Sequence, residues 1–123
     1  MQNNTDYLLA KFSQDDESVR LLAKYFDKNN IQLSARKLNE KDLEVIFASL
    51  VEDYLEYRID PDTLGYLCGK IVYCLIQDDK YLCNTHIGGL LSRIGDWDID
   101  LRHNPESVGE VLQTILDEYK RIK

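Results

Sequence analysis

Three short constellations in this 123-residue chain carry residue types that can do chemistry. Asp96-x-Asp98-x-Asp100 sets carboxylates at alternate positions, which is how a calcium loop begins to gather oxygen ligands around a hard cation. The pattern breaks where such a loop is strictest. Its sixth position is Leu101 instead of the turn glycine, and its twelfth is Ser107 instead of the bidentate glutamate. Cys83-x-x-His86 has the spacing of two zinc ligands, but a structural zinc site takes four, and Cys68, Cys74 and His103 show no paired spacing. A cysteine nucleophile would need Cys83 beside His86 or His103, together with an orienting group and an oxyanion site. Arg102-His103 is the pair a phosphate-cleaving centre could use, yet Asp96, Asp98, Asp100 and Glu106 surround it. Gly88-Gly89 lacks the Lys-Ser/Thr that would make a phosphate loop. The expectation is a protein that is not an enzyme and holds no metal or cofactor.

What remains is acid interleaved with aromatics. Glu52, Asp53, Tyr54, Glu56, Tyr57, Asp60 and Asp62 form one cluster; Asp96, Trp97, Asp98 and Asp100 form another. Tyrosine and tryptophan are frequent interface anchors, and acids around them steer a basic partner. The plain alternative is a solvated charged face with Tyr54, Tyr57 and Trp97 turned into the core. The candidate partner-binding residues are therefore Glu52, Asp53, Glu56, Tyr57, Asp60, Asp62, Asp96, Trp97, Asp98 and Asp100.

The charge supports this direction. The chain has 22 Asp/Glu against 15 Lys/Arg, a net −7. Residues 42–118 carry sixteen acids against five bases, a balance of −11, whereas residues 1–41 are nearly neutral. Such a surface repels phosphate backbones and anionic lipid, which argues against direct nucleic-acid or membrane partners and for a basic protein. The longest apolar run, Ile71–Ile76, is too short to span a bilayer. Three cysteines and an N-terminus without a charged, apolar leader point to a reducing, cytoplasmic setting.

The elements that must position these residues are helical. Val19, Leu22 and Phe26 recur at helical spacing, and Lys28-Asn29-Asn30 marks a stop. Ile31–Leu38 alternates weakly and could be extended. Asn39 with Asp42 opens a long helix through Leu43, Ile46, Phe47, Leu50 and Tyr54, broad enough to face the core on two sides. Asp60-Pro61 starts the next, with Leu64, Leu67, Cys68, Ile71, Val72, Leu75 and Ile76 inward. Gly65 and Gly69 lie four apart on it, and close approach of another backbone would compensate their weak helix propensity. Gln77–Asn84 reads as a polar connection. Thr85 can cap a short helix that Gly95 ends, and Asn104-Pro105 opens a last one through Leu112 and Leu116. The expectation is an all-α single domain over residues 1–123, an antiparallel helical bundle of five or six helices.

The helix–Asp-Pro–helix unit Leu50–Leu75, the run Leu50-Val51-Glu52-Asp53-Tyr54-Leu55-Glu56-Tyr57-Arg58-Ile59-Asp60-Pro61 and the acidic loop before the last helix resemble the small helical immunity proteins of the colicin D immunity type. That resemblance spans about Phe47 to Tyr119. It implies a bacterial protein that covers the basic active site of a cognate toxic nuclease. It assigns no contact residues. The alternative is a helical adaptor or regulatory subunit that binds through an apolar groove, using the Gly65/Gly69 face and exposed tyrosines.

Overall fold

A computed structural model of the chain describes residues 3–11, 16–96, 110 and 112–118, and every regular element among them is helical. In chain order these are α1 (Asn4–Lys11), α2 (Asp16–Lys28), α3 (Glu40–Leu55), α4 (Pro61–Lys70) continuing into a π-helical segment (Ile71–Ile76), α5 (Lys80–Cys83) and α6 (His86–Asp96). Residues 112–118 are also helical. No described helix is long and apolar enough to cross a membrane.

Local chemistry explains most of the boundaries. Asn39 and Asp42 form a capping box: the Asp42 N–H donates to the Asn39 side chain at 2.9 Å, and the Asn39 N–H donates to Asp42 Oδ2 at 3.1 Å. Asp60 accepts from the Thr63 N–H at 2.7 Å, with Pro61 in the first turn where a missing N–H is harmless. Thr85 accepts from the Gly88 N–H at 3.1 Å. α2 ends in a Schellman turn: Ile31 N–H donates to Phe26 C=O and Asn30 N–H to Asp27 C=O, with Asn30 in the left-handed region at φ 59°.

Buried side chains from α2, α3, α4, the π segment, α6 and the 112–118 helix form one apolar cluster, joined by Leu8 and Leu82. α3 lies at its centre, packed on α2, α4 and α6, with Leu43, Ile46, Phe47, Leu50 and Val51 fully buried. This is the two-sided burial that its broad apolar stripe requires. α4 packs most extensively on α6.

Four expectations need correction. Ile31–Leu38 is irregular, with a turn over residues 33–35, and forms no strand. Its backbone is claimed by the buried Asn4, whose Nδ2 donates to Ile31 C=O at 2.6 Å and to Asp27 Oδ1 at 2.7 Å, while its Oδ1 accepts from the Leu33 N–H at 2.9 Å. The connection Gln77–Asn84 contains α5, because Asp79 caps it by accepting from the Leu82 N–H at 3.1 Å. α6 runs one residue past Gly95. A glycine that does meet another backbone is Gly88, where a Cβ would collide with the Leu82 carbonyl oxygen. Above Gly69 the nearest group is the Tyr73 ring at 3.8 Å, an ordinary contact.

Candidate functional site

The corner between α3 and α4 brings one of the two acidic clusters together. α3 stops because the chain turns left-handed at Tyr57, with φ 63°. Arg58 N–H donates to Asp53 C=O at 2.8 Å and Tyr57 N–H donates to Tyr54 C=O at 3.1 Å, a second Schellman turn. Asn30 suits that backbone because asparagine tolerates it. Tyrosine does not: a bulky side chain at positive φ is an outlier that the surroundings must enforce.

The enforcing contacts are side-chain ones. A Schellman turn often closes with an apolar contact between the residues at its two ends. Here those residues are Asp53 and Arg58, and Arg58 Nη1 donates to Asp53 Oδ1 at 2.9 Å. The other carboxylate oxygen, Asp53 Oδ2, accepts from the Tyr25 hydroxyl at 2.6 Å, which ties the corner to α2. Arg58 also pairs with Glu56 at 2.7 Å. Burial works against the charge on Asp53, but the Tyr25 hydroxyl and Arg58 outweigh it and hold the carboxyl below its ordinary range. Burial, and then the Asp53 hydrogen bond, push the Tyr25 phenol well above its ordinary value.

The result is a fixed corner with Tyr57 held out of it. Tyr57 is 95% exposed, while Tyr54 is buried. Glu56 and Asp62 are exposed beside it in sequence, and Glu52 is half-buried. Asp53 and Asp60 have internal duties: Asp53 locks the turn and Asp60 caps α4. Thr63 holds the Asp60 carboxyl below its ordinary range through its side chain and its backbone N–H. Sequence reasoning passed over Tyr25 and Arg58. The short range of Arg58 from Asp53 was a usable signal; the pairing of Tyr25 with Asp53, 28 residues apart, was not. The second cluster lies outside the described residues for Trp97, Asp98 and Asp100, and for the side chain of Asp96.

The remaining chemistry-bearing residues are separately engaged. Cys83 Sγ donates to the Ile76 carbonyl at 3.0 Å. Cys68 is fully buried, and burial pushes its thiol up to about 12. Among the described residues no three His, Cys, Asp or Glu side chains converge as metal ligands would. A groove of about 280 Å³ lies elsewhere, with Leu33, Leu38, Leu75 and Leu82 along it and Tyr7, Lys11, Arg36, Lys37, Asp78 and Asp79 completing its lining. Lys37 pairs with Asp79 at 3.3 Å, and Arg36 donates to the buried Asp42, with Nη2 at 2.8 Å from Oδ1. Comparison with known proteins finds no matching family model, no matching curated protein and no matching solved structure.

Proposed function

We propose that this chain is a non-enzymatic binding protein whose acidic α3–α4 corner receives a basic protein surface, with Tyr57 as the anchor. The observation that carries this reading is Tyr57 itself. The chain keeps a bulky aromatic at positive φ, almost wholly in water, where glycine would fold more easily. Among the described residues no packing accounts for that choice, and a contact with another molecule would. Glu52, Glu56 and Asp62 near it supply the negative rim that draws a cationic partner.

By its resemblance to colicin D type immunity proteins, the partner is a cognate bacterial toxin nuclease, and the action is occlusion of its cationic substrate groove. Asp96, Trp97, Asp98 and Asp100 extend the contact in this proposal. A cytoplasmic location and an antiparallel bundle of helices belong to the same reading. The test is purification of the full chain with its bound protein from native cells, in parallel with Tyr57→Gly. The reading requires a basic partner whose toxicity on expression is relieved by the wild-type chain and much less by the variant. A partner held equally by both proteins would remove Tyr57 from the interface.

The groove favours a second reading, a helical adaptor that takes an apolar segment over Leu33, Leu38, Leu75 and Leu82. Burial of apolar surface depends little on salt, whereas a steered acidic contact weakens as salt rises, so ionic strength separates the two.

A further inference from the structure

We propose that the π segment has two registers: Ile71–Ile76 exchanges between the π form and an α-helical form in which Leu75 replaces Ile76 in the core. Leu64, Leu67, Cys68 and Ile71 are fully buried and make one stripe at α-helical spacing. If the α-helix continued at about 100° per residue, Leu75 would lie about 30° from the centre of that stripe and Ile76 about 130° from it. The structure has the opposite order. Ile76 is 1% exposed, while Leu75 is only half-buried and lines the groove with Leu33, Leu38 and Leu82. The π form is the cause: its i→i+5 hydrogen bonding turns the chain less per residue and brings Ile76 back to the face of Ile71.

Two observations bring the α register within reach. The residues that trade places are a leucine and an isoleucine, equal in apolar atoms, so the exchange conserves core volume. The segment also ends in a turn at Gln77 and Asp78, before α5, and a turn can absorb a shift of one residue. What holds the π form is its last carbonyl: Ile76 C=O accepts from the Asp79 N–H at 2.9 Å and from the Cys83 thiol at 3.0 Å. The α register moves Ile76 and gives up both bonds. A difference of this size places the α register at on the order of 1% of the molecules. The exchange also remodels the groove, because Leu75 leaves its lining when it enters the core. An apolar occupant would therefore hold the chain in the π register. That last step rests on the second reading of the groove given above; the exchange itself does not.

Methyl relaxation-dispersion NMR of the full chain, labelled at leucine and isoleucine methyls, tests the exchange without any ligand. The Leu75 and Ile76 methyls should show exchange with one shared rate and one shared minor population. Cys83→Ala removes a bond that only the π register makes, so the minor population should rise about threefold at unchanged shift differences. Leu75→Asn should quench the exchange, lowering the minor population tenfold or more, because the α register would bury the amide. Both substitutions fall on half-buried positions, so the fold survives them. Flat dispersion at Leu75 and Ile76 in both the wild type and Cys83→Ala would overturn the proposal. Exchange that persists unchanged in Leu75→Asn would overturn it too, since the moving element would then not be the Leu75/Ile76 register. If the exchange is present but the groove binds no apolar peptide, only the adaptor reading is lost.

Discussion

Replacing Tyr57 with glycine separates what the fold wants at that position from what a partner wants. The left-handed conformation costs a non-glycine residue about 1–2 kcal/mol. Glycine removes that cost but brings a more flexible unfolded chain, which takes back about 0.5–1 kcal/mol. The side chain is 95% exposed, so its removal forfeits almost no packing. The net effect is a stabilisation of about 0.5–1 kcal/mol. For a chain of this length that raises Tm by roughly 2–4 °C. Thermal unfolding followed by circular dichroism measures it directly. In the same protein, loss of an interface anchor worth about 2 kcal/mol weakens partner binding about thirtyfold. Tyr57→Ala is the control: it keeps the backbone cost, so binding should fall without a gain in Tm. A Tyr57→Gly protein that is less stable than wild type would show that the side chain serves the fold.

Other outcomes follow from the same geometry. Asn4→Ala leaves the Ile31 carbonyl and Leu33 N–H without their buried partner, and chemical denaturation should show a loss of about 2–4 kcal/mol. Gly88→Ala drives a Cβ into the Leu82 carbonyl and should cost about 2–4 kcal/mol, whereas Gly69→Ala should stabilise by up to about 1 kcal/mol. Asp42 is held below its ordinary range chiefly by the Arg36 hydrogen bond, and Asp53, Asp60 and Asp79 are lowered as well. A lowered carboxyl contributes stability above its unfolded pKa and loses it as pH falls through the folded one. Stability should therefore hold above pH ~4 and decline below it, with a shallower decline in Asp42→Asn. Native alkylation at neutral pH should label Cys74 and Cys83 well before Cys68, whose buried thiol is held protonated. Equal labelling of all three would contradict the buried position of Cys68.

The elements whose boundaries are set by neighbouring side chains were legible in the sequence. Asn39 with Asp42, Asp60 with Pro61, and Thr85 before α6 are caps that act within three residues. The α3 stripe from Leu43 to Tyr54 announced its two-sided burial. What escaped reading depends on distant partners or on rare backbone states. Asn4 is an ordinary polar residue until Ile31 and Leu33 reach it. The π segment has the same apolar pattern as an α-helix. α5 is a single four-residue turn, hidden in a polar stretch. Gly69 was expected to meet another backbone, but it meets only an ordinary side-chain contact among the described residues, and a close backbone approach is found at Gly88, where α6 begins against the end of α5.

The candidate corner divides in the same way. Its acids and its tyrosine were legible as a cluster. The division of labour within it was not, because Asp53 is committed by Tyr25 from another helix and Asp60 by the cap it makes. Tyr57 carries no sequence mark of a left-handed turn. The run Leu55-Glu56-Tyr57-Arg58 reads as continuing helix, and only the Asp53–Arg58 lock and the following Asp60-Pro61 explain why the chain turns there.

The central claim is that an acidic surface anchored by Tyr57 captures a basic protein. The most direct test is the association rate between the full chain and the partner purified with it, measured by stopped flow at rising ionic strength. The account predicts a fall of about tenfold or more between roughly 50 and 200 mM salt, and a further loss of affinity in Tyr57→Gly. A rate that stays flat across that range, with Tyr57→Gly binding as tightly as wild type, would contradict it.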